Sequence, residues 1–357
     1  MQPSNPHILN IEILASSLPE FDAIIDVRTP AEFALDHIPG AINLPVLSNK
    51  ERIEIGTLYK QASPFVAKKL GAAYVSRNIA NHIENSLIDF PREWRPLIYC
   101  WRGGERSGAF THILNRIGWK ALQLQSGYQG FRRVVINDLE QAAKDFSFQV
   151  IAGMTGSGKT RILQEIGLLD QQILDLEGLA IHRGSVLGNE PNIEQPSQKG
   201  FETNLWNALN SLDPSRIVFV ESESKKVGGV HIPDPLMERI RDGQCIEIRS
   251  STHTRVSWLL REYHHFLSNP ESFKEKLSLL TSRYGKEQIT KWHEAIDAGD
   301  FESLVEELLV MHYDPSYQSS IIRNFPSYRE DHFVQLENDS DEAFAKTAKD
   351  LITKLGL

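Results

Sequence analysis

Short runs of apolar residues recur along the chain, and most of them end in an acidic residue, a glycine or a polar turn. Several are followed by segments in which apolar residues return every three or four positions, as between Ser107 and Ile117. Short apolar runs are typical of buried strands, whereas the wider spacing is typical of helices with one buried face. The alternation predicts an α/β fold. The predicted strands are 23–28, 97–99, 121–124, 148–152, 173–177, 216–220 and 244–248.

Two regions depart from this alternation. Residues 50–85 have apolar residues mainly at helical spacing, which predicts a helical insertion whose apolar side chains pack into the core. The region from Thr252 to the end is helical and charged. A polar segment predicts a linker at 138–147, so that the 357 residues divide into an N-terminal domain, 1–137, and a second domain, 148–357.

The composition is that of a soluble protein of a reducing compartment, with 41% hydrophobic residues and only two cysteines, Cys100 and Cys245. Two cysteines exclude a disulfide framework and a multi-cysteine zinc site. The start of the sequence has no secretory pattern, and no apolar run is long enough to cross a bilayer. We therefore expect a cytoplasmic protein with no membrane partner, in which Cys245, on a predicted strand, belongs to the core.

Cys100 lies at a predicted strand-to-helix turn, in the segment Tyr99–Ser107. Backbone N–H groups at such a turn stabilise an anion, and the same field favours the thiolate, so Cys100 is a candidate nucleophile. Gly103 and Gly104 allow the backbone to curl, and Arg106 can pair with a tetrahedral oxyanion. The alternative, a buried cysteine that acts as a small apolar residue, does not account for the surrounding glycines and arginines.

The second domain begins with a strand, a glycine-rich segment and a helix, which is the context of a P-loop. Its backbone N–H groups wrap a diphosphate, its lysine adds positive charge, and its threonine can hold Mg²⁺. The predicted diphosphate-binding residues are Gly153, Met154, Thr155, Gly156, Ser157, Gly158, Lys159 and Thr160.

Carboxylates follow two predicted strands of this domain and are candidate ligands for Mg²⁺, directly or through water. Asp175 lies at the end of one strand, and Glu221 and Glu223 follow the apolar run 216–220. Together with Thr160 they form the predicted metal site. The alternative is a solvated strand end without an ion.

The N-terminal order of motifs resembles the rhodanese domain. It comprises Asp26-Val27-Arg28, Glu32-Phe33, the segment His37–Pro45 and the Cys100 loop, and it covers about 8–137. Such domains are α/β folds in which a loop cysteine carries sulfur or selenium as a persulfide or perselenide. We interpret Asp26, Arg28 and Glu32 as a salt-bridge set that shapes the domain.

A rhodanese loop followed by a P-loop resembles the tRNA 2-selenouridine synthase family nearly end to end. Further matching segments are Asp175-Leu176-Glu177, 182–185, 195–198 and 221–226. The family alkylates the sulfur of wobble 2-thiouridine with geranyl diphosphate and then replaces the geranylthio group with selenium from selenophosphate. The resemblance implies that Cys100 carries the selenium with Arg102 and Arg106 as catalytic partners, and that Trp101, Gly103, Gly104 and Glu105 complete the selenophosphate loop.

The implied partners are tRNA and an enzyme that supplies selenophosphate. A net charge of −9 requires that tRNA meets a local basic surface. The candidate cations are Arg132, Arg133, Arg249, Arg255 and Arg261, although a solvated helix face is an equal interpretation. Trp101 is a candidate to stack on an unstacked base, and equally a packing residue. The sequence does not locate a pocket for the prenyl chain.

Two other classes of protein share part of the pattern. Cys, five residues, Arg, Ser is also the loop of rhodanese-fold phosphatases, but Tyr99 stands where these usually have His, and the P-loop is left without a role. The second class is a P-loop ATPase coupled to a rhodanese module, either as an active sulfurtransferase or as an inert docking domain. An intact Cys100 with Arg106 argues against inertness.

Overall fold

The computed structural model describes residues 7–11, 18–185, 187–191 and 193–357, without the side chains of residues 142 and 143. The chain forms two compact α/β units. The first comprises the chain up to Asp138 together with Ser197–Asn207. The second comprises Leu139–Pro196 and Ala208–Leu357.

The first unit is built on a parallel sheet of five strands: β1 (Ile8–Leu9), β2 (Ala23–Asp26), β3 (Ala41–Asn43), β4 (Pro96–Tyr99) and β5 (Leu122–Leu124). Their order is β1-β5-β4-β2-β3, which places β4 in the middle. All four residues of β4 are buried, as expected for a parallel strand covered on both faces. Cys100 follows β4 directly, at the carboxyl end of the central strand, where α/β folds place their ligands.

The helices of the first unit are α1 (Pro30–Leu35), α2 (Asn49–Gln61), α3 (Pro64–His82), α4 (Glu105–Ile117) and α5 (Gly127–Asp145), with a 3₁₀ turn at Leu18–Glu20 and a π-helical turn at Ile83–Leu87. Both α1 and α2 begin with a capping box, Thr29 with Glu32 and Ser48 with Glu51. The core between sheet and helices contains Ile25, Ile98, Phe110, Leu114 and Trp94.

The predicted insertion is helical, but most of its side chains do not pack into the core. Helix α2 buries no residue, and α3 buries only Ala67 and Ile79. Ile53 and Phe65 are each 69% exposed. The prediction of core packing for 50–85 is therefore wrong for most of the segment, although Val75, Ile79 and Ile83 pack against the core of the first unit.

The predicted linker at 138–147 is mostly helical, because α5 continues to Asp145. The boundary between the two units falls inside this helix. A second difference is that 197–207 belongs to the first unit, although the sequence places it within 148–357.

The second unit also has a parallel sheet of five strands: β6 (Phe148–Ala152), β7 (Gln172–Leu174), β8 (Val218–Glu221), β11 (Gln244–Arg249) and β12 (Phe333–Gln335). Their order is β12-β11-β6-β8-β7. A short antiparallel pair of strands, β9 (Lys226–Val227) and β10 (Val230–His231), follows β8 along the chain. Because β6 and β8 are neighbours, the loop after β6 and the acids after β8 lie at the same sheet edge.

The helices of this unit are α6 (Lys159–Leu168), α7 (Leu176–Ala180), α8 (Gln198–Asn210, shared with the first unit), α9 (Asp234–Arg241), α10 (Thr252–Glu262), α11 (His264–Ser268), α12 (Pro270–Ser278), α13 (Thr281–Asp297), α14 (Phe301–Leu308), α15 (Asp314–Asn324) and α16 (Asp341–Leu355), with a π-helical turn at Leu309–Tyr313. The region after Thr252 is thus helical, as predicted, apart from β12. Within the described chain, no helix combines the length and the apolar character that a membrane span requires.

Candidate functional site

The Cys100 loop connects β4 to α4 and is closed by two glycines in the left-handed region. Gly103 has φ +63°, and a Cβ there would lie 2.6 Å from the Leu124 carbonyl oxygen. A Cβ on Gly127 would lie 2.2 Å from the Cys100 carbonyl oxygen. Since no side chain fits at either position, the loop packs tightly against the start of α5.

Two donors within the loop point at the sulfur of Cys100. The Gly104 N–H donates to Sγ at 3.3 Å, and the Ser107 hydroxyl donates at 3.1 Å. Burial raises the pKa of the thiol, but the hydrogen bonds from Ser107 and Gly104 and the charge of Arg106 outweigh it, so the pKa lies below the ordinary value. The surroundings favour a thiolate, as the sequence predicts. Ser107 was not among the site residues predicted from the sequence. Its position seven residues after the cysteine, on the first turn of α4, is the feature that could have identified it as a donor to the sulfur.

Arg106 lies beside this loop in an ion pair. Its guanidinium donates to Glu32 at 3.1 Å, and Glu32 also accepts the Thr29 N–H as part of the cap of α1. Burial raises the pKa of Glu32, but the Arg106 charge and the Thr29 bond outweigh it, so the pKa is lowered. Arg28 and Asp26 form a second, fully buried pair at 2.6 Å. The predicted salt bridge is confirmed for Asp26 and Arg28, whereas Glu32 pairs with Arg106 instead.

The other predicted loop residues lie toward solvent. Arg102 and Glu105 are exposed, and Trp101 is half-buried. The Trp101 ring lies 5.3 Å from that of Tyr128, and the Lys199 amine lies 5.9 Å from the Trp101 ring centre. Lys199 belongs to 197–207, and no local pattern connects it to Cys100.

Arg132 does not contribute to a basic surface. It is buried, donates to Thr203 at 2.9 Å and pairs with Glu202. Thr203 in turn donates to Asp36, as does Tyr128. Arg132 therefore helps to hold 197–207 in the first unit, which corrects the prediction for this residue. Arg133 is exposed.

The P-loop connects β6 to α6 with three glycines at positive φ, Gly153, Gly156 and Gly158. A Cβ on Gly158 would meet the Phe344 ring at 2.4 Å, so glycine is required for packing as well as for backbone conformation. Lys159 Nζ donates to the Gly153 carbonyl at 2.8 Å. Its amine is thereby held across the loop, on the side where a diphosphate binds in such loops.

Two residues distant in sequence support the P-loop from outside. Arg255 Nε donates to the Thr155 carbonyl at 2.8 Å, and its guanidinium pairs with Asp314. The Tyr317 hydroxyl accepts the Gly153 N–H at 2.6 Å. Arg255 is 3% exposed, so its predicted place on a basic face is wrong. No sequence motif identifies Asp314 or Tyr317.

Three carboxylates converge beside the P-loop. Glu177, Glu221 and Glu223 each offer an oxygen within 4.8 Å of the others. The Thr160 hydroxyl donates to Glu177 at 2.8 Å. Glu221 is fully buried, and neither of its oxygens has a hydrogen-bond partner among the described residues. A buried carboxylate without a hydrogen-bond partner needs a positive charge nearby to offset the cost of removing its own charge from water.

Burial and mutual repulsion raise the pKa values of this cluster. Burial, followed by the charge of Glu223, raises the pKa of Glu177 to about 8. Burial, followed by the charges of Glu177 and Asp175, raises the pKa of Glu221 well above its usual range. Burial also raises the pKa of Glu223. The charged forms of all three are thus disfavoured in the metal-free chain, which is the electrostatic condition that a divalent cation relieves.

The donor set fits Mg²⁺, since it consists of carboxylate oxygens and a hydroxyl around one point. The structure brings the predicted residues Thr160, Glu221 and Glu223 together, but the third carboxylate of the cluster is Glu177 and not the predicted Asp175. The predicted strand 173–177 ends at Leu174, and Asp175 instead caps α7 by accepting the Gly178 N–H at 2.7 Å. One turn of helix then carries Glu177 into the cluster.

The P-loop and the carboxylates open into a cleft of about 660 Å³ that is wide enough for a diphosphate and more. An apolar crevice of about 50 Å³ adjoins it and shares Thr155, Leu259, Tyr263 and Tyr313 with it. Ser185 also lines both the cleft and the crevice. The rest of the crevice is lined by Leu187, Leu260, Phe266, Leu267, Phe273, Val305, Leu308 and Leu309. The sequence did not locate it, because its wall comes from four separate helical segments.

The remaining predicted positions are structural. Burial raises the pKa of Cys245 to about 12, so this cysteine is an inert core residue of β11, as predicted. Arg249 pairs with Glu247 at 2.7 Å, and Arg261 pairs with Asp339. The five arginines therefore do not form the predicted free basic face.

Two family models match the chain. A model described as the tRNA 2-selenouridine synthase AAA domain matches residues 146–329, and the rhodanese-like domain model matches residues 12–133.

Individual tRNA 2-selenouridine synthases are similar over most of the chain. That of Nitrosomonas europaea is 36% identical over 244 residues, which cover 67% of this chain and 63% of the relative. That of Nitrosomonas eutropha is 36% identical and covers 73% and 67%, respectively. That of Pseudomonas fluorescens is 32% identical over 322 residues and covers 82% and 87%. The match thus spans less than two thirds of the Nitrosomonas europaea protein.

Proposed function

This chain belongs to the tRNA 2-selenouridine synthase family, and from that premise we propose that it converts wobble 2-thiouridine of tRNA into 2-selenouridine. The observation that carries the proposal is the presence, in one chain, of a thiol held in an anion-stabilising loop and a P-loop faced by three carboxylates. The two sites suit the two halves of a selenation, in which sulfur is first made a leaving group and selenium then displaces it.

The P-loop cleft suits the first half, alkylation of the thiouridine sulfur by geranyl diphosphate. The carbon–oxygen bond of the donor breaks, a carbon–sulfur bond forms, and diphosphate leaves with the electron pair. Lys159 and the backbone N–H groups of 153–158 would hold the diphosphate and balance its growing charge. Thr160, Glu177, Glu221 and Glu223 would hold Mg²⁺, which adds further positive charge there.

The apolar crevice is our candidate for the prenyl chain. It begins at Thr155, beside the phosphate-binding loop, and leads between Leu259 and Leu308. A volume of about 50 Å³ takes only part of a ten-carbon chain, so the lining side chains must separate when the donor binds. Flexible leucine and phenylalanine side chains on four helical segments permit this.

The Cys100 loop suits the second half, delivery of selenium. Selenophosphate is a tetrahedral anion of the kind that N–H groups and Arg106 bind. We propose that Cys100 carries selenium as a perselenide, whose terminal selenium attacks the ring carbon while geranylthiolate leaves. Arg102, Trp101 and Glu105 lie around the mouth of this loop, and Trp101 is available to stack on the unstacked base.

Electron balance constrains this step. Selenium leaves selenophosphate as selenide when phosphate is released by water, whereas a sulfur–selenium bond is two electrons more oxidised. Loading Cys100 therefore requires a two-electron acceptor, and a thiol that cleaves the sulfur–selenium bond after transfer returns the two electrons. An enzyme that supplies selenophosphate does not by itself provide the two-electron acceptor. An oxidised thiol partner would therefore also have to take part and accept the two electrons.

The test is the nucleoside content of tRNA in cells that lack this gene and carry a plasmid copy. Mass spectrometry should find 2-selenouridine with the wild-type chain, geranylthiouridine without selenouridine with Cys100→Ser, and unmodified thiouridine with Lys159→Ala. Cys245→Ser is the control and should match wild type. Normal selenouridine with Cys100→Ser contradicts the role of the loop. Hydrolysis of p-nitrophenyl phosphate without any change in tRNA would favour the phosphatase alternative.

A further inference from the structure

Helices α2 and α3 form an antiparallel pair, here called the insertion hairpin, that is anchored at only one end. Val75, Ile79 and Ile83 pack against the core of the first unit. Asn78 donates to the Val46 carbonyl at 3.0 Å, and His82 contacts the Pro45 carbonyl at 2.9 Å. The other end, around the turn at 62–63, has no such contacts among the described residues.

The unanchored end exposes large apolar side chains that the fold does not use. Phe65 is 69% exposed and Tyr59 is 55% exposed, and Ile53 and Val66 are also exposed. Four large apolar side chains exposed on one helical hairpin are candidates for contact with a partner. They do not contribute to the core, because α2 buries no residue and α3 buries only Ala67 and Ile79.

The same two helices are strongly basic in an acidic protein. Residues 49–82 contain six Lys or Arg and two Glu, whereas the whole chain has a net charge of −9. Both carboxylates already accept hydrogen bonds, Glu51 from Ser48 and Asn78, and Glu54 from Tyr74. The six cations have no ion pair with any residue that the structure describes. They are Lys50, Arg52, Lys60, Lys68, Lys69 and Arg77.

Two of these cations lie beside aromatic rings of α3. The Lys69 amine lies 4.9 Å from the Phe65 ring centre, and the Arg77 guanidinium lies 5.7 Å from the Tyr74 ring centre. A ring offers a stacking face to an unpaired base, and the adjacent cation reaches the neighbouring phosphate. This combination distinguishes single-stranded RNA from a duplex, which offers phosphates but no free base faces.

We propose that the insertion hairpin is a docking surface for a loop of the tRNA substrate, a statement that rests on the proposed function. Charge complementarity selects a polyanion, and the exposed rings select one with unpaired bases. Four of the five arginines that the sequence suggested for this task are buried or paired, and only Arg133 among them is exposed without an ion pair to any described residue. The buried ones are Arg132 and Arg255, and the paired ones are Arg249 and Arg261.

The test compares two triple variants of the full chain that change the total charge equally. Lys60→Glu, Lys68→Glu and Lys69→Glu alter the hairpin. Lys291→Glu, Lys346→Glu and Lys349→Glu alter helices α13 and α16 and serve as the control. Fluorescence anisotropy measures the binding of a tRNA transcript with uridine at the wobble position over a salt series, and circular dichroism checks the fold.

The hairpin variant should bind tRNA roughly 10- to 100-fold more weakly at about 0.1 M salt, with a salt slope smaller by about two to three, whereas the control variant should lose less than about threefold. Phe65→Ala, which changes no charge, should weaken the binding of tRNA about tenfold and leave the binding of a double-stranded RNA of equal length unchanged.

Equal losses in the two triple variants overturn the proposal while the proposed function stands, provided that wild type still modifies tRNA. Wild type that binds no tRNA overturns both. Loss of binding to vesicles containing phosphatidylglycerol, or to an acidic protein, with tRNA affinity unchanged would assign the hairpin to that other partner and overturn the proposal.

Discussion

The Cys100 thiol is buried, yet its nearest polar neighbours favour the anion. Burial raises the pKa of a thiol, as it does for Cys245, where the charge of Glu247 adds to the effect. At Cys100, the hydrogen bonds donated by Gly104 and Ser107, together with the charge of Arg106, outweigh burial, so that the pKa of the thiol is lowered. The two cysteines are both buried, and the hydrogen bonds at 3.1–3.3 Å to the Cys100 sulfur account for much of the opposite direction of its pKa shift.

Ser107→Ala should therefore raise the pKa of Cys100 by about one to two units, because a hydrogen bond to a charged group contributes about 1.5–3 kcal/mol. The pH dependence of alkylation by iodoacetamide, read at Cys100 by peptide mass spectrometry, measures the shift. Cys245 in the same sample is the internal control and should stay unmodified at neutral pH. An unchanged midpoint would show that Ser107 does not stabilise the thiolate.

Substitution of Lys159 should affect only the first of the two proposed half-reactions. Lys159→Ala should slow geranylation by on the order of a hundredfold or more, because one charge that faces the leaving group is lost. The same variant should convert pre-geranylated tRNA to the seleno form at the wild-type rate, because that step is assigned to the Cys100 loop in the proposed function. Calorimetry with Mg²⁺ should show binding of geranyl diphosphate and weaker binding of ATP. Tight ATP binding with turnover stimulated by tRNA would instead favour an ATP-driven activation.

The elements of the second unit bring separate charges to one sheet edge. Strands β6 and β8 are adjacent and parallel. The P-loop that follows β6 and the acids at the end of β8 therefore lie at the same sheet edge, although they are far apart along the chain. Helix α10 adds Arg255, and α15 adds Tyr317, which support the loop from behind. The loop is thus held by two elements far from it along the chain.

Arg255→Lys should weaken the binding of geranyl diphosphate about tenfold, because lysine cannot contact the Thr155 carbonyl and both Asp314 oxygens at once. Calorimetry in the presence of Mg²⁺ measures this affinity. Arg323→Lys, at an exposed position on α15, is the matched control and should bind as wild type does. Equal affinity in all three proteins would show that the loop keeps its conformation without the support.

The carboxylate cluster makes stability depend on pH in a defined direction. The folded pKa of Glu177 is about 8, against 4.5 as its ordinary value, so the folded metal-free chain binds more protons than the unfolded chain between these values. Its contribution to stability is complete below about 4.5 and is lost as pH rises through about 8. The melting temperature of the metal-free protein should fall by several degrees across this window.

Mg²⁺ should raise the melting temperature more at pH 8.5 than at pH 6, because it replaces the protons that the cluster otherwise holds. Glu221→Gln should reduce both the fall with pH and the effect of Mg²⁺, whereas Glu306→Gln, on the exposed face of α14, should change neither. A melting temperature that rises with pH, or an equal effect of Mg²⁺ on both variants, would contradict a metal site here.

At the scale of the whole molecule, the two units divide the proposed chemistry. Cys100 and its donors belong to the first unit, and the P-loop, the carboxylates and the apolar crevice belong to the second. The geranylated tRNA is the intermediate that both would use. A variant that lacks one of the two proposed activities should therefore keep the other.

An equimolar mixture of Cys100→Ser and Lys159→Ala proteins should form 2-selenouridine although neither forms it alone. The first protein releases geranylated tRNA, and the second selenates it. Liquid chromatography with mass spectrometry of digested tRNA follows both products with time. Each variant alone is the control. A mixture without selenouridine would show that the intermediate does not pass between molecules.

Local patterns were enough to predict most of the fold. Both α/β units, the strand-loop-helix contexts of Cys100 and of the P-loop, and the helical nature of residues 50–85 follow from apolar spacing and glycine position, which act over a few residues. The burial of Arg132 and Arg255 and the exposure of Phe65 were not predictable in this way. Whether a side chain faces core or solvent depends on which elements pack against its own.

Residue type and spacing were enough to identify candidate chemical groups at each loop, namely a thiol, a P-loop lysine and acids at strand ends. Several of the neighbours that surround these groups come from elements distant in sequence. Strand order placed Glu177 with Glu221 and Glu223, and an early helix start turned Asp175 into a cap. The pairing of 197–207 with the first unit and the support of the P-loop by Arg255 and Tyr317 join residues far apart in sequence. Such contacts form when non-adjacent elements pack, and no local pattern encodes them.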